Sequence, residues 1–77
     1  MKTIYVIEEI DQDQGHCVIG VSDTVENAES MIKEFFGELE ILKAQSIEEN
    51  GIEFIWDVKF EGEVSQVVVR YFELNEI

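Results

Sequence analysis

The sequence predicts an α+β domain in which one helix packs on one face of an antiparallel sheet of about five strands. Residues 52–60 and 64–74 are rich in β-branched and aromatic types, and residues 52–60 alternate apolar with polar side chains. Residues 25–36 instead repeat apolar residues at helical spacing. Asn50-Gly51 stands directly before the alternating stretch, and this dipeptide is the strongest two-residue signal for a β-hairpin.

The chain opens with a predicted hairpin. Residues 3–10 read T-I-Y-V-I-E-E-I, which is typical of a strand, and residues 16–21 form a second, shorter strand. The polar segment Asp11-Gln12-Asp13-Gln14-Gly15 lies between them as a turn, in which Gly15 can adopt a positive φ.

The segment Ser22-Asp23-Thr24-Val25-Glu26 predicts the start of a helix. Asp23 is the expected N-cap, and Glu26 three residues later completes a pattern like a capping box. Gly37 is a suitable stop. The apolar stripe expected to face the sheet consists of Val25, Ala28, Ile32, Phe35 and Phe36.

Residues 38–49 allow two alternatives. Leu39 and Leu42 continue the apolar stripe, so the segment can extend the helix. Asn50-Gly51 favours a strand, because the alternating stretch after it needs a hairpin partner and residues 41–47 are the only candidate. Glu61-Gly62 makes the next tight turn, before the last strand. The predicted order is strand, strand, helix, strand, strand, strand, in a single domain over residues 1–77.

One helix cannot cover both faces of five strands. If Val67, Val69 and Tyr71 face the helix together with Trp56, alternation turns a second set of apolar residues away from it. A second apolar face on so small a chain predicts a homodimer or a bound partner. The residues of this possible dimer face are Ile55, Val64, Val68, Phe72 and Leu74.

The charge restricts the partners. Eighteen Asp and Glu oppose five Lys and Arg, which gives a formal net charge of -13 on 77 residues. Nucleic-acid phosphates and anionic membranes both require basic side chains, so direct binding to either is not expected.

There is no apolar run of spanning length and no signal-peptide pattern. A single cysteine, Cys17, excludes an internal disulfide framework and fits a reducing cytoplasm.

The predicted order of elements also concentrates the acids. The first hairpin turn, the Glu61-Gly62 turn and the helix C-terminus should share one end of the sheet. This acidic end is predicted to contain Asp11, Asp13, Glu38, Glu40, Glu61 and Glu63, and to contact a basic protein surface. The opposite end should hold Asp23, Glu26, Glu48 and Glu49.

The sequence offers few groups for catalysis. His16 and Cys17 are neighbours in a strand, so they point to opposite faces, and a buried structural Cys beside an edge His is expected. The segment Asp11-Gln12-Asp13 begins like a calcium loop but lacks the later ligands. We interpret the adjacent carboxylates as part of a solvated surface. Trp56 and its neighbouring aromatic residues are expected in the core or in a protein interface. We therefore expect no enzyme, no metal site and no cofactor.

Two resemblances bear on function. The segments K-T-I-Y-V-I (residues 2–7), I-G-V-S-D-T-V-E-N-A-E (19–29) and Y-F-E-L-N-E (71–76) resemble a group of very small phage and Firmicute proteins without known active residues. In size, acidity and α+β make-up the chain is also similar to phage-encoded inhibitors of host defence: anti-CRISPR proteins, anti-restriction DNA mimics and inhibitors of uracil-DNA glycosylase. The second resemblance is one of composition, without a shared motif.

Two functional hypotheses follow. In the first, the chain is a non-enzymatic phage or prophage inhibitor that occupies the basic surface of a host nucleic-acid-handling or defence protein. A charge that serves only solubility is the alternative reading of the same acids, although -13 exceeds the magnitude of roughly 2 to 8 that solubility requires. In the second hypothesis, the chain is a small homodimeric structural or regulatory module that uses its second apolar sheet face.

Overall fold

The computed structural model describes residues 2–11 and 15–74. It confirms the α+β fold and the predicted order of elements. The elements are β1 (Lys2–Asp11), β2 (Gly15–Ser22), α1 (Val25–Phe36), β3 (Glu40–Glu49), β4 (Ile52–Phe60) and β5 (Glu63–Leu74). The segment before Asn50-Gly51 is therefore a strand, and the extended helix is excluded.

All five strands form one antiparallel sheet in the order β2-β1-β5-β4-β3. The first and last strands pair in the middle, with Tyr5 opposite Tyr71 and Ile7 opposite Val69. Strands β2 and β3 are the edges. Asn50 and Gly51 both have positive φ, 55° and 78°, as the predicted two-residue turn between β3 and β4 requires.

The core lies between α1 and one face of the sheet. Ala28, Ile32 and Phe36 of the helix pack on buried side chains of three strands: Ile7 of β1, Phe54, Trp56 and Val58 of β4, and Val67 and Val69 of β5. The predicted stripe is corrected at Phe35, which is 55% exposed, whereas its neighbour Phe36 is 5% exposed. A helical step of about 100° separates adjacent side chains, so only one of the two can point at the sheet.

Gly20 of β2 lies against the helix. A Cβ atom built on Gly20 would overlap the terminal methyl of Met31 on α1. A larger residue at position 20 would therefore require the flexible end of the Met31 side chain to shift. The helix is drawn toward β2 and β1, and it leaves part of the same sheet face near β3 uncovered.

The N-cap differs from the prediction. It is Thr24, whose Oγ1 accepts a hydrogen bond of 3.1 Å from the backbone N–H of Asn27. Asp23 lies one residue too early and instead accepts a 3.2 Å hydrogen bond from the Asn27 side-chain amide. Ser22 supports the turn, because its hydroxyl donates to the Thr24 carbonyl at 2.9 Å.

We expect Thr24→Ala to destabilise the fold by about 1 kcal/mol, because an amide at the helix start loses its acceptor. For a domain of this size that corresponds to a fall in Tm of roughly 4–8 °C in a thermal melt. Asp23→Ala is the matched control and should shift Tm by less than half as much, since it removes only an exposed side-chain pair. A larger loss in the control would mean that Asp23 is the energetically important cap.

Candidate functional site

The topology gathers acids at one end of the sheet. Strand β1 ends beside the start of β5, where Ile10 lies opposite Gln66. Strand β3 begins beside the end of β4, where Glu40 lies opposite Lys59. The helix ends there too, because the Phe36 and Phe60 rings meet with their centroids 5.4 Å apart. This end therefore carries Asp11, Glu38, Glu40, Glu61 and Glu63.

The members of the acidic end differ in setting. Glu38, Glu61 and Glu63 are exposed, whereas Asp11 is half-buried. Glu40 is exposed but stands directly opposite a cation, Lys59, across the β3–β4 ladder. Asp13, the sixth predicted member, lies outside the described residues. Of the predicted opposite end, Asp23 and Glu26 lie at the helix start, and Glu48 and Glu49 at the β3–β4 turn.

The sheet face that the helix does not touch is strongly apolar. Residues directly opposite each other in an antiparallel ladder share a face, so the strand registers define this surface, which we call the open face. Its apolar members are Ile4, Val6, Ile10, Val18, Val21, Ile52, Ile55, Val64, Val68, Phe72 and Leu74. Five of them are between 46% and 60% exposed: Val18, Val21, Val64, Phe72 and Leu74.

The residues of the predicted dimer face all lie on the open face, but they are not equally accessible. Val64, Phe72 and Leu74 are exposed and Ile55 is half-buried. Val68 is only 3% exposed although no helix covers it. Its neighbours directly across the two ladders, Glu8 and Ile55, flank it on either side. Val68 therefore has little surface left for a partner.

The cations are concentrated on the open face. The registers place four of the five there: Lys2 opposite Leu74, Lys43 opposite Asp57, Lys59 opposite Val64, and Arg70 opposite Val6. Four acids share this face, so its described charges balance. These acids are Glu8, Glu40, Glu49 and Asp57.

The rest of the described surface carries a large excess of acids over cations, and we call it the acidic side. It comprises the helix, the helix-facing strand positions, the strand bulges and the connections, and Lys33 is its single described cation. The described residues have a net charge of -11, and all of it resides on this side. Its acids are Glu9, Asp11, Asp23, Glu26, Glu29, Glu34, Glu38, Glu48, Glu53, Glu61, Glu63 and Glu73.

A polar cluster lies within the open face. The Glu8 carboxylate is 3.5 Å from Arg70 Nε and 3.7 Å from His16 Nδ1, and the Glu8 side chain is 19% exposed. Nearby, the Gln66 side-chain amide donates a 3.2 Å hydrogen bond to Asp57. Sequence reasoning did not identify this cluster, because it depends on the register between β2, β1 and β5.

Two shallow hollows indent the sheet. One, of about 390 Å³, lies on the open face near the acidic end and is lined by Ile10, Asp57, Val64, Ser65 and Gln66. The other, of about 380 Å³, lies where the helix leaves the sheet uncovered. Its floor includes Phe54 and Trp56, and Glu29, Glu48 and Glu53 lie around it. Both are open depressions on the surface.

Alternation along a strand predicts that the neighbours His16 and Cys17 point to opposite faces of the sheet. His16 lies opposite Ile10 and Cys17 opposite Glu9, so the two side chains lie on different faces. Cys17 is exposed, so the expectation of a buried cysteine is wrong. The reason is that β2 is an edge strand and the helix does not cover Cys17. Within residues 2–11 and 15–74, no group of three or more His, Cys, Asp or Glu side chains could hold a metal ion.

In the described part of the chain, no helix has the length and apolar character needed to cross a membrane. Comparison of the chain with protein-family models, with curated protein sequences and with solved structures finds no match.

Proposed function

We propose that this protein is a non-enzymatic binding protein, encoded by a phage or prophage, that inhibits a host nucleic-acid-handling or defence protein by occupying its basic surface. The observation that carries the proposal is the segregation of charge. Twelve described acids and one cation form the acidic side, whereas the charges of the open face balance. Solubility alone needs no such segregation, because mixed charge serves it equally well.

The spacing of the charge supports a nucleic-acid-like role. The molecule is elongated, with extents of 45 × 22 × 22 Å. The described residues carry sixteen acids and five cations, and their net charge of -11 along this length corresponds to about one negative charge per 4 Å. One strand of DNA carries a charge about every 3.4 Å. A basic groove that follows a nucleic-acid strand would therefore meet a similar linear charge density on this protein.

The backbone positions of the acids are fixed by the fold. Glu26, Glu29 and Glu34 project from a helix that is anchored in the core, and Glu9 and Glu63 from paired strands. Binding therefore has to order their side chains but not the backbone that carries them, which limits the entropic cost of association. Their common sign should also accelerate encounter with a basic partner, and this acceleration should weaken with added salt.

The host compartment is part of the proposal. The resemblance to small phage and Firmicute proteins suggests a bacterial setting, and a lone, exposed thiol is suited to a reducing cytoplasm. The principal contact proposed on the acidic side is formed by Glu38, Glu61 and Glu63, the exposed members of the acidic end that do not lie on the open face. The partner is defined by its chemistry, namely a protein groove lined with Lys and Arg.

The test measures the binding of the labelled protein to a panel of purified bacterial DNA-binding proteins, each with and without a competing DNA duplex. We expect binding to at least one of them to be mutually exclusive with the duplex and to weaken at least tenfold between 50 and 300 mM salt. The triple variant Glu38→Gln, Glu61→Gln and Glu63→Gln should weaken binding by about tenfold, since each exposed charge contributes up to about 1 kcal/mol.

The matched control removes the same number of charges from the other end of the acidic side: Glu26→Gln, Glu48→Gln and Glu73→Gln. An equal loss in both triple variants would show that net charge, and not the acidic end, determines affinity. Binding that ignores salt, or that tolerates the DNA duplex on every partner, would contradict the proposal.

A further inference from the structure

The open face is an apolar surface that no described helix covers. We infer that it is covered by the open face of a second copy of the chain, which gives a face-to-face homodimer. Five of the eight strongly exposed large apolar residues among the described ones lie there. Such a concentration is unusual for a small monomer, because exposed apolar residues are normally scattered.

Charge selects a second copy as the occupant. Two molecules with a net charge of -13 repel each other wherever their acidic sides meet. Two open faces do not repel each other in this way, because cations and acids alternate across the strands of this face. Glu40 lies opposite Lys59, Lys43 lies opposite Asp57, and Arg70 lies beside Glu8. A strongly basic partner would bind to the acidic side instead. The open face is matched by a surface that is apolar and has no net charge. The open face of a second copy is such a surface.

The area is sufficient for a stable dimer. Five strands about 4.8 Å apart and roughly 30 Å long present about 700 Å² per copy. A standard protein interface buries roughly 600–1,000 Å² on each partner, a range that includes this value. Packing the two sheets would also convert a one-sided core into a sandwich with a second apolar layer. A short domain without disulfides gains stability from such a layer.

The polar groups of the open face do not oppose the association. Glu8 already has Arg70 and His16 as neighbours, and Asp57 accepts from Gln66, so these groups need no partner from the other copy. Burying an ion pair is costly mainly when one charge is left alone. Lys2, Lys43 and Lys59 are exposed, and their long side chains can reach the rim while their apolar stems pack.

The decisive measurement is the molar mass by sedimentation equilibrium from 1 to 500 µM protein. We expect twice the chain mass of 8.9 kDa at high concentration. Dimerisation should strengthen between 50 and 500 mM salt, because salt screens the repulsion between the two acidic sides. Binding of a basic partner should weaken over the same range. The two proposals can therefore fail independently.

The variant pair Val18→Glu and Phe72→Glu places two acids on the open face and should weaken the dimer at least a hundredfold. The control pair Phe35→Glu and Ile41→Glu replaces exposed apolar residues that lie off the open face, and it should leave the dimer unchanged. If the first pair lowers Tm by more than about 10 °C, the single variant Val64→Asp replaces it. A monomer at 500 µM in 500 mM salt, or equal weakening by both pairs, would overturn the inference.

Discussion

Replacing Phe36 by alanine should remove about 3–5 kcal/mol from the free energy of unfolding. The Phe36 side chain is 5% exposed and closes the core at the end of α1, where its ring meets Phe60. Truncation to alanine would leave a cavity that the rigid sheet cannot fill. The single core of a domain this short rarely supplies more than about 3–5 kcal/mol of stability, so most of that stability would be lost. Urea unfolding monitored by circular dichroism measures the change.

The matched control is the preceding residue. Phe35 is 55% exposed, and its ring packs nearly perpendicular to the Phe36 ring, with centroids 5.0 Å apart. Phe35→Ala should cost less than about 1 kcal/mol, because it exposes little new surface and alanine favours the helix. A similar loss in both variants would mean that the helix is rotated from the position described here.

Val67→Asp should abolish folding at neutral pH. Val67 is completely buried between Glu9 of β1 and Trp56 of β4, its directly opposite neighbours. A carboxylate at this position would lose its hydration, find no cation and face a like charge. The cost of several kcal/mol equals or exceeds the whole stability of a small domain. The expected result is a proton NMR spectrum with the narrow amide dispersion of an unfolded chain.

Val64→Asp makes the same substitution on the same strand, three residues earlier. Val64 points to the open face and is 60% exposed, so the monomer should keep its dispersed spectrum and change in stability by less than about 1 kcal/mol. Unfolding of this variant would indicate that the open face contributes to the stability of the isolated chain. A folded Val67→Asp variant would contradict the face assignment of β5.

Sequence periodicity predicted most of the fold because its signals are local. The alternation in residues 52–60 and the Asn50-Gly51 turn were sufficient to define β4, and the need for a hairpin partner then identified β3. The residue at which the helix begins was harder to predict from the sequence. Asp23 and Thr24 are both good caps, and the choice between them depends on the turn that Ser22 makes with Thr24. The exposure of Phe35 likewise depends on how the helix sits against the sheet.

The segregation of the cations could have been predicted in part. Lys59 and Arg70 have the same alternation as Ile55 and Phe72, so their place on the open face follows from period two. Lys43 does not follow, because a bulge between Ile41 and Lys43 shifts the register of β3. The contact between Glu8, Arg70 and His16 needs three strands in register, which no local pattern contains.

The central position of β1 and β5 has a consequence for folding. The ladder between them joins residues 56 to 72 positions apart along the chain, from Ile10 opposite Gln66 to Lys2 opposite Leu74. Until β5 has formed, the β1–β2 hairpin and the β3–β4 hairpin are separate. The helix then has only part of the apolar sheet surface on which it packs. Contacts between such distant residues slow folding, because a long loop must close before they form. The nascent chain is therefore expected to acquire its core only after β5 has left the ribosome.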